Sequence, residues 1–278
     1  MLVTLNEVLA PARKAGYAVG LFNTTDSDML EAALAAAEEL RAPIIIGTAE
    51  VLLPYGELKL LAPMLIDAAR RASVPVVVHY DHGLTFERTM EALKLGFSSV
   101  MFDASAKPHD ANLAETAEVV KIARAFGATV EGEIGHVGQA ANGDGELADM
   151  YTTPEEADEF IRATGVDALA VAIGSAHGVY KTKPRLNIGR LKEIRARVET
   201  PLVLHGGSGL SDDDFRNTIR EGIAKVNVFT DLCLAGEAAM KEGLAGGLGY
   251  LKTRQLRVER IKEAVARKMT VFGCANRA

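Results

Sequence analysis

Short apolar runs rich in valine, isoleucine and leucine alternate with longer amphipathic stretches along almost the whole chain. Runs at residues 18–22, 43–46, 76–80, 99–102, 129–134, 168–173, 202–204 and 224–228 predict eight strands. The valines at 76–78, bounded by Pro75 and Gly83, read as a strand covered on both faces. Helical periodicity fills the intervals at 59–72, 85–95, 109–126, 188–198 and 232–269. Asp26 can cap a helix reaching about residue 40, and Thr152 or Thr153, with Pro154 and Glu156, marks another start. Ser211 and its following aspartates start a helix that runs to about residue 220. Strand followed by helix, repeated eight times, implies parallel strands with helical crossovers. The predicted fold is therefore α/β, a (β/α)8 TIM barrel with a helical C-terminal extension. A doubly wound open sheet is the alternative. The strand count and the lack of an early G-x-G-x-x-G favour the barrel.

A barrel needs about 250 residues, so 278 residues accommodate a single domain over 1–278. A composition 48% hydrophobic and 24% charged supports a sizeable core. The net charge of −6 argues against nucleic acid as a partner. No apolar run is long enough to span a membrane, and the first residues carry neither a basic n-region nor an apolar h-region. Cys233 and Cys274 are too few for a disulfide framework and read as reduced thiols of a cytoplasmic protein.

The polar residues change this from a fold into a site. Chemistry in such barrels sits at the C-terminal ends of the strands. Asn23, Asp81, His82, Asp103, Glu133, His177, His205 and Asn227 all fall at or near predicted strand ends. Any one histidine alone reads as a core or loop residue. Three at corresponding ends, with Asp81, Asp103 and Glu133 beside them, point to a catalytic Zn²⁺ held by His82, His177 and His205. Asp103 and Glu133 suit a second divalent metal. His79 shares the face of Asp81 and reads as a packing or supporting residue, and His109 and His136 as surface or supporting residues.

A second signal concerns phosphate. Gly206-Gly207-Ser208-Gly209 follows the seventh strand and Asn227-Val228-Phe229-Thr230 the eighth, the recurrent phosphate place of this fold. Glycines admit backbone N–H groups to an anion, and a helix N-terminus adds partial positive charge. Gly178 and Lys181 offer a further donor and a point charge. A metal beside a carboxylate and a phosphate pocket suits aldol chemistry, with the metal stabilising an enediolate and Asp81 handling a proton. The same parts also serve metal-dependent hydrolysis, isomerisation or epimerisation.

The segments Val78-His79-Tyr80-Asp81-His82-Gly83, Ser99 to Ser105, Val130-Glu131-Gly132-Glu133-Ile134-Gly135, Ala170 to Tyr180, Leu204-His205-Gly206-Gly207-Ser208-Gly209-Leu210 and Lys225-Val226-Asn227-Val228 stand in this order along the chain. They resemble class II, zinc-dependent fructose-bisphosphate and tagatose-bisphosphate aldolases. That resemblance implies reversible cleavage of a ketose 1,6-bisphosphate or related ketose phosphate to dihydroxyacetone phosphate and an aldehyde, within carbohydrate metabolism such as glycolysis. It implies His82, His177 and His205 as zinc ligands, Asp81 as the acid/base, and Asp103 and Glu133 at a second or displaced metal position. Gly178, Gly206, Gly207, Ser208, Asn227 and Thr230 match the dihydroxyacetone phosphate site, with Asn23 and Lys181 joining the substrate-binding set. A monovalent cation, Na⁺ or K⁺, near Gly178 and Gly206 is implied, as is a homodimer or homotetramer in which Lys252 or Arg254 reaches a neighbour's substrate. The loop after Gly138 holds Asp144 and Glu146 in place of an adjacent acidic pair, making Glu146 a candidate catalytic base. Phe229 stands where the family usually has a small or acidic residue and is expected to shape the sugar pocket. A catalytically silent aldolase-like subunit is the reading from another class.

Overall fold

The alternation resolves into strands β1 (Leu2–Val3), β2 (Val19–Asn23), β3 (Ile44–Ala49), β4 (Val76–Gly83), β5 (Ser99–Phe102), β6 (Thr129–Ile134), β7 (Ala168–Val171), β8 (Leu202–Leu204) and β9 (Ile223–Val228). They are seen in a computed structural model that describes residues 1–135, 151–176, 178 and 184–278. Strands β2 to β9 pair in parallel with their sequence neighbours, and β9 pairs with β2, so the eight close into a barrel. β1 takes the early edge of β4 at Val76 and Val77, and β5 takes over that edge from His79 onward. Helices Thr230–Ala245 and Gly249–Phe272 form the C-terminal extension.

Local chemistry sets the helix starts. Asp26 accepts hydrogen bonds from the N–H groups of Asp28 and Met29, and helix Ser27–Glu39 buries Met29, Leu30, Ala32, Ala33, Ala36 and Ala37 on one face. Thr153 and Glu156 form a capping box ahead of helix Pro154–Thr164, as Ser211 and Asp214 do ahead of helix Asp212–Arg220.

Three differences from the sequence pattern have physical causes. Helix Leu5–Ala15 is not predicted, because Pro11 inside it obscures the periodicity; its capping box, Thr4 with Glu7, is the signal that marks it. β7 ends two residues before the apolar run does, since Ala172 exchanges hydrogen bonds with Thr152. The long C-terminal helical stretch breaks at Gly246–Gly249, where Gly247 and Gly249 adopt φ of 66° and 70°.

The barrel interior is not wholly apolar. Glu131 of β6 and Lys225 of β9 pair at 2.8 Å, although β7 and β8 separate their strands, so the pair spans the interior. Both side chains are fully buried. At the mouth, β3 and β4 approach so closely that a Cβ on Gly47 would overlap the His79 carbonyl oxygen. Gly47→Ala is accordingly expected to destabilise the fold by about 1–3 kcal/mol. Urea denaturation measures this, and an unchanged midpoint would contradict the close approach.

Candidate active site

β4 delivers two adjacent side chains to one place by breaking its own alternation. Tyr80 pairs with Val100 and Gly83 with Phe102, so three steps on β4 face two on β5. This is a β-bulge, and His82 within it has φ of 43°. On a regular strand Asp81 and His82 would face opposite sides. The bulge turns His82 back, and both line the same cavity. Gly83 is required beside it, because a Cβ there would meet the Met101 carbonyl at 2.7 Å.

Two carboxylates orient the imidazoles. The Asp103 carboxylate lies 2.7 Å from Nδ1 of His82, and that of Glu131 lies 2.8 Å from Nε2 of His205. Each carboxylate accepts from a ring N–H, so Nε2 of His82 and Nδ1 of His205 are the nitrogens left to face each other, 2.8 Å apart. Two lone pairs at that separation require a proton or another cation between them. Burial alone would push His82 down, but Asp81, Asp103 and Glu133 outweigh it and bring the ring up to about 9. Burial, with charged His82 beside it, lowers His205. A proton on His82 thus satisfies the pair, and a divalent cation is the natural replacement. Glu133 lies 3.6 Å from Nδ1 of His205, and His82, Asp103 and Glu133 converge closely enough to hold an ion. The donor set of nitrogen and carboxylate oxygen fits Zn²⁺.

Asp81 is held on both oxygens. Asn23 donates to Oδ2 at 2.8 Å and Asn227 to Oδ1 at 2.9 Å. Burial favours protonation of Asp81, but His82, Lys225, His205 and His79 overcome it and keep the group well below the usual carboxylate range. Asp81 is therefore an ionised carboxylate, immobilised by two amide donors. Below it, His79 sits between Ser99, at 2.7 Å, and the carboxylates of Asp81 and Glu131, at 3.8 and 3.9 Å. Burial, with Lys225 adding, pushes His79 down to about 3, so it is a neutral support.

A cavity of about 430 Å³ gathers most of the predicted site. Asn23, Asp81, His82, Asp103, Glu133, Gly178, Gly206, Gly207, Ser208, Asn227, Phe229 and Thr230 line it, and buried His205 lies behind His82. Gly206 has φ of 66° and passes so close to the Ala176 backbone that a side chain would collide with it. Phe229 is the N-cap of helix Thr230–Ala245 and has no side-chain acceptor for the first-turn N–H groups. That helix start and the glycine loop together suit an anion. His177, Lys181, Asp144 and Glu146 lie outside the described residues. Arg254 is drawn into ion pairs with Asp28 and Glu31 of its own chain, whereas Lys252 is exposed. Lys225 and Glu131 stand inside β9 and β6, short of the strand ends, and so escape the strand-end rule. The signal was there, since each lies two residues before a site residue, Asn227 and Glu133, on the same strand face.

Residues 3–277 match the sequence model described as fructose-bisphosphate aldolase class-II. A protein named "probable fructose-bisphosphate aldolase" from Bacillus subtilis is 40% identical over 285 residues, covering 100% of this chain and 99% of that one. A fructose-bisphosphate aldolase from Thermus caldophilus is 39% identical over 306 residues, covering 100% of both chains. Among solved structures, the crystal structure of the YdjI aldolase from Escherichia coli K12 superposes with a TM-score of 0.92 at 36% identity, again over 100% of both chains.

The Glu131–Lys225 pair yields a separable prediction. Lys225→Met strands a buried carboxylate and is expected to cost about 3–5 kcal/mol in denaturant titrations. The double change Glu131→Leu with Lys225→Met should recover most of that stability. It should nevertheless weaken Zn²⁺ binding about 10–100-fold in competition with a chromophoric chelator, because His205 loses its orienting carboxylate.

Proposed function

The chain belongs to the class-II fructose-bisphosphate aldolase family and is an aldolase, a carbon–carbon lyase; from that premise we propose how its cavity works and on what. The substrate class is a ketose phosphate, cleaved reversibly to dihydroxyacetone phosphate and an aldehyde within one TIM-barrel aldolase domain over 1–278. The observation that carries the reading is the 2.8 Å His82–His205 pair beside a carboxylate fixed on both oxygens, in the same cavity as a glycine-rich anion loop.

In this reading His82, His205 and His177 hold the catalytic Zn²⁺, with Asp103 and Glu133 available to a second divalent ion. The bound ion supplies Lewis acidity that polarises the ketose carbonyl and stabilises the enediolate charge. Gly206, Gly207 and Ser208, with the N–H groups at Thr230, receive the phosphate of the dihydroxyacetone half, and a monovalent cation beside Gly178 and Gly206 belongs to the same cradle. Asn23 and Asn227 hold Asp81 so that its ionised carboxylate takes the proton from the hydroxyl on the carbon that becomes the aldehyde. The carbon–carbon bond then breaks toward the ketone side. In condensation Asp81 returns that proton to the new hydroxyl. Glu146 remains the candidate for protonating the enediolate carbon, and Phe229 for bounding the sugar.

The exposed apolar side chains Leu244, Leu248, Tyr250 and Leu251 at the C-terminal helical hairpin support a homodimer or homotetramer. Two free cysteines, Cys233 and Cys274, accord with a cytoplasmic setting. Among the described residues no helix is long and apolar enough to cross a membrane.

The purified protein is expected to release dihydroxyacetone phosphate from a ketose phosphate in a coupled assay, to lose that activity in chelator and to regain it with Zn²⁺. Full activity in chelator would overturn the metal reading, and ketose interconversion without dihydroxyacetone phosphate would favour an isomerase or epimerase. Asp81→Asn should lower kcat by about 10²–10⁴-fold while leaving the bound zinc unchanged.

A further inference from the structure

One wall of the cavity is aliphatic, and a carboxylate outside the proposed chemistry builds it. Glu50 opens the 3₁₀ turn Glu50–Tyr55 directly after β3. Its carboxylate accepts hydrogen bonds from the N–H groups of Leu84 and Thr85 at 2.9 and 3.1 Å and from the Thr85 hydroxyl at 2.9 Å. The buried Tyr80 hydroxyl approaches it at 3.4 Å. One carboxylate therefore staples the turn after β3 to the end of β4. The consequence is a fixed lip in which Val51, Leu52 and Leu84 stand together on the cavity lining. Val51 is 59% and Leu84 45% exposed, so among the described residues the lip faces the cavity and its mouth.

Its position in the barrel says what meets it. β4 and β8 lie opposite each other, with β3, β2 and β9 between them on one side and β5, β6 and β7 on the other. The glycine loop follows β8 and Leu84 follows β4. A substrate anchored by its phosphate at Gly206–Ser208 and reacting at Asp81 sends its far end toward the lip. A phosphate dianion there would shed water against aliphatic carbon, with the Glu50 carboxylate behind it. Among the described residues of this chain that line the cavity there is no Lys or Arg to compensate, and Arg254, one of the two residues the resemblance sends to a neighbour's substrate, is held by Asp28 and Glu31 of its own chain.

We propose that the Val51–Leu52–Leu84 lip selects an aldehyde half whose terminus carries no phosphate, so that the enzyme prefers ketose 1-phosphates to ketose 1,6-bisphosphates, with Glu50 as the positioning residue of the lip. This rests on the aldolase reading above and narrows its substrate class.

The test runs in the condensation direction with the zinc-loaded, full-length protein, dihydroxyacetone phosphate, and a panel of lactaldehyde, glyceraldehyde and glyceraldehyde 3-phosphate as acceptors. The unphosphorylated acceptors are expected to exceed glyceraldehyde 3-phosphate in kcat/KM by at least about tenfold. Leu84→Lys, or Val51→Lys should the first fold poorly, is expected to shift the ratio toward the phosphorylated acceptor by about tenfold or more. Glu50→Gln should raise KM for lactaldehyde by about three- to tenfold with a much smaller change in kcat, at unchanged zinc content. Condensation that favours glyceraldehyde 3-phosphate in the wild type, or a ratio that neither lysine variant moves, overturns the lip and leaves the aldolase reading standing. Failure to consume dihydroxyacetone phosphate with any acceptor overturns both.

Discussion

The Glu131 carboxylate joins the core of this barrel to its chemistry. One oxygen meets Lys225 across the interior and the other holds the ring of His205. A buried carboxylate would ordinarily favour its neutral form, yet Lys225 and His205 outweigh burial and keep Glu131 down at about 2. The pair is a poor source of net stability, since desolvating both charges offsets most of their attraction. Its effect is geometric. With Nε2 of His205 committed to Glu131, only Nδ1 can face His82. Burial, with Lys225 adding, keeps His79 neutral against the pull of Glu131, and His82, followed by Lys225, keeps Asp81 ionised. A polar interior layer that looks costly thus fixes which nitrogen of His205 faces the layer above.

That upper layer depends on a second constraint, the bulge in β4. Regular pleating would send either Asp81 or His82 outward. An extra residue and a positive φ at His82 let consecutive residues line one cavity, the first as the proposed base and the second as the proposed ligand. The cost is borne by the surroundings. Gly83 must lack a side chain, and Asp103 must hold the turned ring. The bulge also sends the chain on toward Leu84 and Thr85, where Glu50 receives it. One irregularity therefore orients Asp81 and His82 and sets the Val51–Leu52–Leu84 wall of the same cavity.

The cavity is consequently asymmetric. Its β8–β9 side presents backbone N–H groups, small residues and a helix start, all suited to an anion. Its β3–β4 side presents aliphatic carbon backed by a carboxylate. Family membership establishes the aldol reaction, and this asymmetry is a property of the chain's own side chains that bears on which sugar it uses.

Much of this was legible in the amino-acid order. Eight apolar runs separated by helical periods specified the barrel, because strand and helix periods and capping residues are local properties that neighbouring residues determine. The strand-end rule likewise singled out Asp81, His82, Asp103, Glu133, His205 and Asn227, which the fold does bring to one cavity or directly behind it. Helix Leu5–Ala15 escaped because an internal proline outweighed its capping box. Three things only the tertiary structure decided. Glu131 meets Lys225 because barrel closure carries β6 and β9 to facing walls, a distance of 94 residues that no local pattern encodes (225 − 131 = 94). Asp81 and His82 share a face because β5 pairs with β4 out of step by one residue, and register belongs to the pair of strands, not to either sequence. Glu50, Val51 and Leu84 become one lip because two loops from adjacent strands converge on a single carboxylate. Only the packing of β3 against β4 gives them a common role.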